Sequence, residues 1–292
     1  MSYSGVTSGL AARRALEVQR PSLPRKNGYR ARLKELELKV ANLQRDYADL
    51  HGALIEAAQV HRRLCAPRLV RSGNFEIASE TFAVRHVPGD FFILNETDNG
   101  IFFALSDIGG KGLAAGMWIT YLVGTLEMHT SESAAPEQIM AGVNQDLCRL
   151  ATVAPLASLF LGNLDPHSGR LEYCSAGHPP ALLLHADGKL ESLSDGGPLL
   201  GALPTANFER GRVNLRPGDV MLICSDGILE SLDNDEQEFG YERLQQHLRS
   251  APNGSAEGVL FSVLGVVQDF AATRPIVDDM SLVVLRHRSV EV

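Results

Sequence analysis

Four short acidic signals stand at the ends of apolar runs: Asp90 in PGDFF, Asp107 in SDIGGKG, Asp226 in CSDG and the Asp278–Asp279 pair in VDDMSLVVL. The runs read as strands, so the carboxylates are expected at strand ends, where residues far apart in sequence can converge. Clustered carboxylates repel one another unless a cation relieves them. Oxygen-only donors select Mg2+, Mn2+ or Ca2+ over zinc or copper. The four cysteines, Cys65, Cys148, Cys174 and Cys224, form no C-x-x-C, and the nine histidines form no H-E-x-x-H. A zinc site has no support.

Each aspartate has a plainer explanation when taken singly, because Asp-Gly is a common turn and Asp caps helices. Taken together, Ser106-Asp107-Ile108 and Ser225-Asp226-Gly227 end strands and Asp278-Asp279 begins one, which places three acidic sites on one edge. Gly109-Gly110-Lys111-Gly112 is not a Walker A loop: Leu105 stands where the first Gly belongs, and Gly112 follows the lysine where Ser or Thr is required. Its glycines lead into a helix and could present N–H groups to a phosphate or pack the turn against the sheet with equal ease, and Lys111 is read as solvated. His178 in AGHPP has no partner carboxylate nearby in sequence, so a structural role outweighs general-acid work. Ser106, Ser175 and Ser225 lack a G-x-S-x-G elbow, which disfavours a serine hydrolase.

These residues sit in a chain of 292 with 45% apolar composition, enough for one large domain and an appendage. The formal net charge of -8 argues against a nucleic-acid partner. The N-terminus lacks a basic region followed by an apolar one, and no apolar stretch of about 18 residues occurs. A soluble, cytoplasmic protein with no membrane partner is expected, its scattered cysteines unpaired in a reducing compartment.

Residues 1–30 mix Ser, Gly, Pro and Arg and suit a flexible tail. Over 31–66 the spacing predicts a coiled-coil helix, with Leu33, Val40, Tyr47, Leu54 and His61 at a positions and Leu36, Leu43, Leu50, Ala57 and Leu64 at d. A parallel homodimer through 33–64 is expected. Its lower end should be the weaker, since His61 can gain charge near neutral pH. A single amphipathic helix lying on its own domain is the alternative. Pro67 stops the helix, and the domain at 67–288 begins there.

Within it, strands are predicted at 75–84, 91–95, 101–106, 156–164, 170–175, 181–185, 208–214, 220–224 and 280–286, punctuated by Asp-Gly, Asn-Gly, Ser-Gly and Pro-Gly steps. Helical spacing occupies 113–128, 136–150, 241–248 and 256–272. Runs of strands with grouped helices indicate an α+β fold of antiparallel sheets with helices outside.

The blocks PGDFF, DIGGKGLAAG, GRLEYCSAGHPPALLL, PLLGALP, LRPGDVMLICSDGILES, FGYERL and DDMSLVVL come in the order expected of the SpoIIE/RsbU-type branch of metal-dependent Ser/Thr phosphatases, relatives of protein phosphatase 2C. The resemblance spans about Leu64 to Arg286. It implies a four-layer α-β-β-α sandwich, a site for two Mn2+ or Mg2+ ions, and dephosphorylation of a phosphoserine or phosphothreonine on a protein. By the matching blocks, Asp90 and Asp107 would bridge or bind the metals and Asp226 and Asp278 would complete the shell. The Ile108 carbonyl would be a further ligand, with Asp279 at a position where relatives often carry Asn. The family usually shows Gly-Gly-Asp-Phe-Tyr-Asp where this chain has Pro88-Gly89-Asp90-Phe91-Phe92-Ile93, and Ser where it has Gly109. These departures bear on metal affinity rather than on fold.

The branch lacks the histidine acid of its larger relatives, which leaves leaving-group protonation to solvent. Relatives act in partner switching, so the implied substrate is a phosphorylated STAS-domain anti-anti-sigma factor. The rival expectation is a catalytically weak phosphatase-like protein that only sequesters such a partner.

Overall fold

Alternation of apolar side chains at a period of two decides which face each strand gives to which neighbour. The structure, a computed structural model, describes residues 26–64, 69–97, 100–132, 135–150, 154–250 and 254–289. Helix α1 (Lys26–Leu64) leads to strands β1 (Leu69–Ser72), β2 (Phe75–Phe82), β3 (Asp90–Thr97) and β4 (Gly100–Ile108). Helices α2 (Leu113–Glu132) and α3 (Pro136–Arg149) follow, then β5 (Ala157–Leu164), β6 (Arg170–Ala176), β7 (Ala181–Leu184), β8 (Leu190–Leu193), β9 (Gly196–Gly197), β10 (Gly211–Asn214) and β11 (Val220–Cys224). The one-turn helix α4 (Asp226–Leu229), α5 (Gly240–Ser250), α6 (Ala256–Ala271) and β12 (Met280–His287) complete the order.

Two sheets result. One runs β1-β2-β12-β11-β7-β8, the other β10-β6-β5-β4-β3, with β9 beside β6. Among the described residues the β6–β9 pairing alone is parallel. On β11 and β12, Met221, Ile223, Val283 and Leu285 point to the second sheet and share its core with Phe91, Phe103 and Phe160. The intervening Leu222, Cys224, Leu282 and Val284 point outward into a second core with Leu244, Val259 and Val263 of α5 and α6. Helices α2 and α3 pack on each other and on β4, β5 and β6. The layers are therefore α-β-β-α, as expected. Strands β1, β8 and β9 and helix α4 were not foreseen; each has four residues or fewer, too short for a periodic signal.

The chain divides after Leu50 into two compact units. In the first unit α1 begins at Lys26, inside the stretch assigned to the tail, and its seam residues Leu33, Leu36, Val40, Leu43, Tyr47 and Leu50 are all exposed. In the second unit the last turns of α1 belong to the globular body. Leu54, Ala57 and Leu64 are half-buried, the His51 ring meets His86 edge-on with centroids 4.8 Å apart, and His61 is buried. The lower seam is thus covered by its own domain. His61 is held below the usual histidine range by burial, against a hydrogen bond to the Asp90 backbone that opposes it. The charge gain expected at this position is therefore disfavoured. Residues 1–25, Cys65 and Pro67 lie outside the described residues.

His178 shows the same physics in the loop between β6 and β7. It is buried, its Nδ1 lies 2.9 Å from the Pro179 carbonyl, and burial lowers its pKa from 6.5 to about 4 although that hydrogen bond opposes the shift. The unfolded chain takes up the proton at higher pH than the fold does. Stability is intact above about pH 6.5 and falls by about 3 kcal/mol as pH drops toward 4. Urea unfolding at pH 5 and pH 7 should show a smaller difference for His178→Asn than for the natural chain, since the amide titrates nowhere in this range.

Candidate metal centre

Register brings the first two carboxylates together. Strands β3 and β4 pair so that Asp90 stands opposite Asp107, and directly opposed side chains in an antiparallel ladder lie about 5 Å apart at Cβ. From the other sheet, β11 ends at Cys224, Ser225 stands at the N-cap position of α4 without a side-chain cap bond, and Asp226 is the first residue of that helix. Cys224 pairs with Leu282 on β12, which puts Asp278 and Asp279, just ahead of β12, beside Asp226. Since β12 also packs on β3 and β4, all the acidic positions gather at one edge of the two sheets.

The electrostatics record this crowding. Asp90 is 2% exposed, and its carboxyl is pushed well up by burial and then by the Asp107 charge, with hydrogen bonds from Ser225 and Ser281 offsetting part of the rise. Asp107 is pushed up to about 6 by burial, then by Asp226 and Asp278. Asp226 is raised by burial and by Asp278. The exposed Glu230, which the sequence did not suggest, is raised by burial and then by Asp226. Lys111, read from sequence as solvated, instead places its Nζ 2.7 Å from Asp278 Oδ1 and 3.5 Å from the Val277 carbonyl.

The donors fit a hard divalent cation. They are carboxylate oxygens, and Asp90 Oδ2 is buried without a hydrogen-bond partner among the described residues, an arrangement that is costly unless a positive charge satisfies it. The Ile108 carbonyl and Asp107 Oδ1 both face Gly89, 3.3 and 3.5 Å from where a β-carbon would stand. The neighbouring Cys224 thiol is pushed up to about 12 by burial and then by Asp226, so it offers no soft thiolate. No three His, Cys, Asp or Glu side chains among the described residues close round a single point. The acidic groups act on one another across the two sheets instead, Asp107 on Asp90 and both Asp226 and Asp278 on Asp107, and Lys111 holds one oxygen of Asp278.

Asp279 has a different place. Both its oxygens are taken by backbone N–H groups, Oδ1 by Val84 at 2.8 Å and Oδ2 by Gly89 at 2.7 Å. It pins the loop that delivers Asp90. Gly227 explains the SDG block better than a turn does, for a β-carbon there would collide with the Asp279 carbonyl. Gly110, at φ +119, adopts a backbone that other residues rarely reach.

Two facing sheets between helix pairs are the fold of the PP2C phosphatase domains. The SiaA-PP2C domain of Pseudomonas aeruginosa has the same fold, with a TM-score of 0.71 and 16% identity over 82% of this chain and 98% of that one. The family model of Stage II sporulation protein E (SpoIIE) matches residues 97–288, more than half of the chain, and the chain belongs to that family. It is similar to the phosphoserine phosphatase RsbU of Bacillus subtilis, 22% identical over 236 residues that cover 80% of this chain and 69% of RsbU. It is also similar to protein IcfG of Synechocystis sp., 25% identical over 210 residues, 62% of this chain. The chain spans only 32% of IcfG.

The role of Asp279 can be measured. Asp279→Ala leaves two loop N–H groups without acceptors and should lower stability in urea by about 2–4 kcal/mol.

Proposed function

We propose that the protein is a serine/threonine protein phosphatase that depends on divalent cations, two Mn2+ or Mg2+ held by Asp90, Asp107, Asp226, Asp278 and the Ile108 carbonyl. What carries the proposal is the gathering of carboxylates from both sheets, with one buried Asp90 oxygen unpartnered, in a chain of the SpoIIE family. Such ions, when bound, supply an activated water and offset charge developing on the phosphoryl oxygens.

The chain's own groups do the rest. Asp279 fixes the Asp90 loop through Val84 and Gly89. Lys111, at the mouth, carries the positive charge nearest Asp278 and can meet an incoming phosphate. His178 is buried with Nδ1 committed to Pro179, so the leaving serine or threonine oxygen takes its proton from solvent. RsbU is by name a phosphoserine phosphatase, which supports a phosphoserine substrate; we take that substrate to be a STAS-type anti-anti-sigma protein met in the cytoplasm.

Calorimetric titration with Mn2+ followed by phosphate release from a phosphorylated STAS protein tests this. Asp226→Asn should lower turnover more than about 100-fold. Metal uptake without any turnover by the natural chain would favour a sequestering protein, and unchanged turnover in the variant would remove Asp226 from the site.

We place a homodimer contact on α1, supported by the exposed stripe Leu33, Leu36, Val40, Leu43 and Leu50, which follows the a/d pattern of a two-stranded coil. Replacing Leu43 and Leu50 by Pro should halve the sedimenting mass. An unchanged mass would dismiss the contact.

A further inference from the structure

Several of the large exposed apolar side chains outside α1 flank the segments that carry the acidic cluster. Val277, 68% exposed, immediately precedes Asp278, and its carbonyl lies 3.5 Å from Lys111 Nζ. Leu113 begins α2 directly after Gly112, and Met117, 69% exposed, lies one turn further along the same face. Leu156 is exposed while its carbonyl accepts the Gly109 N–H at 2.9 Å.

Leu203 completes the rim from the PLLGALP block. Its side chain is exposed, yet its backbone is fixed: the buried Asn144 of α3 donates through Nδ2 to the Leu203 carbonyl at 3.0 Å and accepts the Gly201 N–H at Oδ1 at 2.9 Å. Leu156 Cδ2 approaches the same loop, 3.7 Å from where a Gly201 β-carbon would stand.

A loop backbone fixed by a buried amide presents its side chain from a set position, and concentrated exposed apolar surface marks a binding site. We infer that Leu113, Met117, Leu156, Leu203 and Val277 form a docking rim for a protein segment whose phosphorylated residue is flanked by apolar side chains. The inference rests on the phosphatase function proposed above and adds the specificity of that site. Charge decides against acidic flanks: the chain carries a net -8, the floor of the site is a set of carboxylates, and like charges brought together are repelled.

The probes are two synthetic phosphoserine peptides, one with Val and Leu on both sides of the phosphoserine and one with Ser and Gln, together with p-nitrophenyl phosphate. With the full chain and Mn2+, kcat/KM should favour the apolar-flanked peptide by about tenfold, through KM. The double variant Met117→Gln, Leu203→Ser should lose that preference while hydrolysing p-nitrophenyl phosphate within about twofold of the natural rate. Equal use of both peptides by the natural chain, or a preference that survives the double variant, overturns the rim. So does a change in sedimenting mass of the variant, which would make this face a contact between copies. If p-nitrophenyl phosphate is not hydrolysed at all, the phosphatase proposal fails, and fluorescence anisotropy of the two labelled peptides still decides the rim: the apolar-flanked one must bind more tightly to the natural chain than to the variant.

Discussion

Everything at the functional edge follows from the cost of holding several carboxylates close together away from bulk water. Charges of one sign in such a setting raise each other's proton affinity, and a partly buried ion without a counter-charge is destabilising by several kcal/mol. The surroundings answer that cost. Hydroxyls of Ser225 and Ser281 hydrogen-bond to Asp90, Ser281 is tied in turn to Thr81 at 2.8 Å, and the Lys111 ammonium meets Asp278. The strain is tolerated because two hydrophobic cores, one between the sheets and one beneath α5 and α6, fix the strand ends independently of it.

The adjacent residues Asp278 and Asp279 show how one short stretch serves two ends. The chain bends at Asp278, ahead of the first residue of β12, so the two side chains reach different partners. Asp278, with its side chain 49% exposed, turns to the mouth and Lys111, while Asp279 is buried and turns to the loop ahead of β3. A chemically identical pair is thus divided into a group that faces the mouth and a group that braces the loop.

Much of this was legible in the sequence, for identifiable reasons. Strands such as Val220–Cys224 announce themselves by apolar runs between Gly-Asp and Ser-Asp-Gly steps, and the acidic residues stand where such runs stop. What escaped depends on partners remote in the chain. Lys111 meets Asp278 across 167 positions and Asp279 meets Gly89 across 190, separations for which no local pattern exists. Asp226 was expected to close a strand and instead opens α4, a helix too short to show a period. The heptad stripe was read over its whole length, but spacing reports only that a face is apolar, not what covers it. From Leu54 onward the cover is the domain itself.

The placement of β12 carries a consequence for how the molecule comes into being. This strand lies between β2 and β11 at the middle of its sheet, with Ala78 beside Val284, although some two hundred residues separate those neighbours. A ribosome must therefore deliver nearly the entire domain before its central ladder can zip, and folding should be slow for its size. Because Asp278 and Asp279 travel with that late strand, a nascent or prematurely terminated chain lacks its keystone and two of its five acidic positions together.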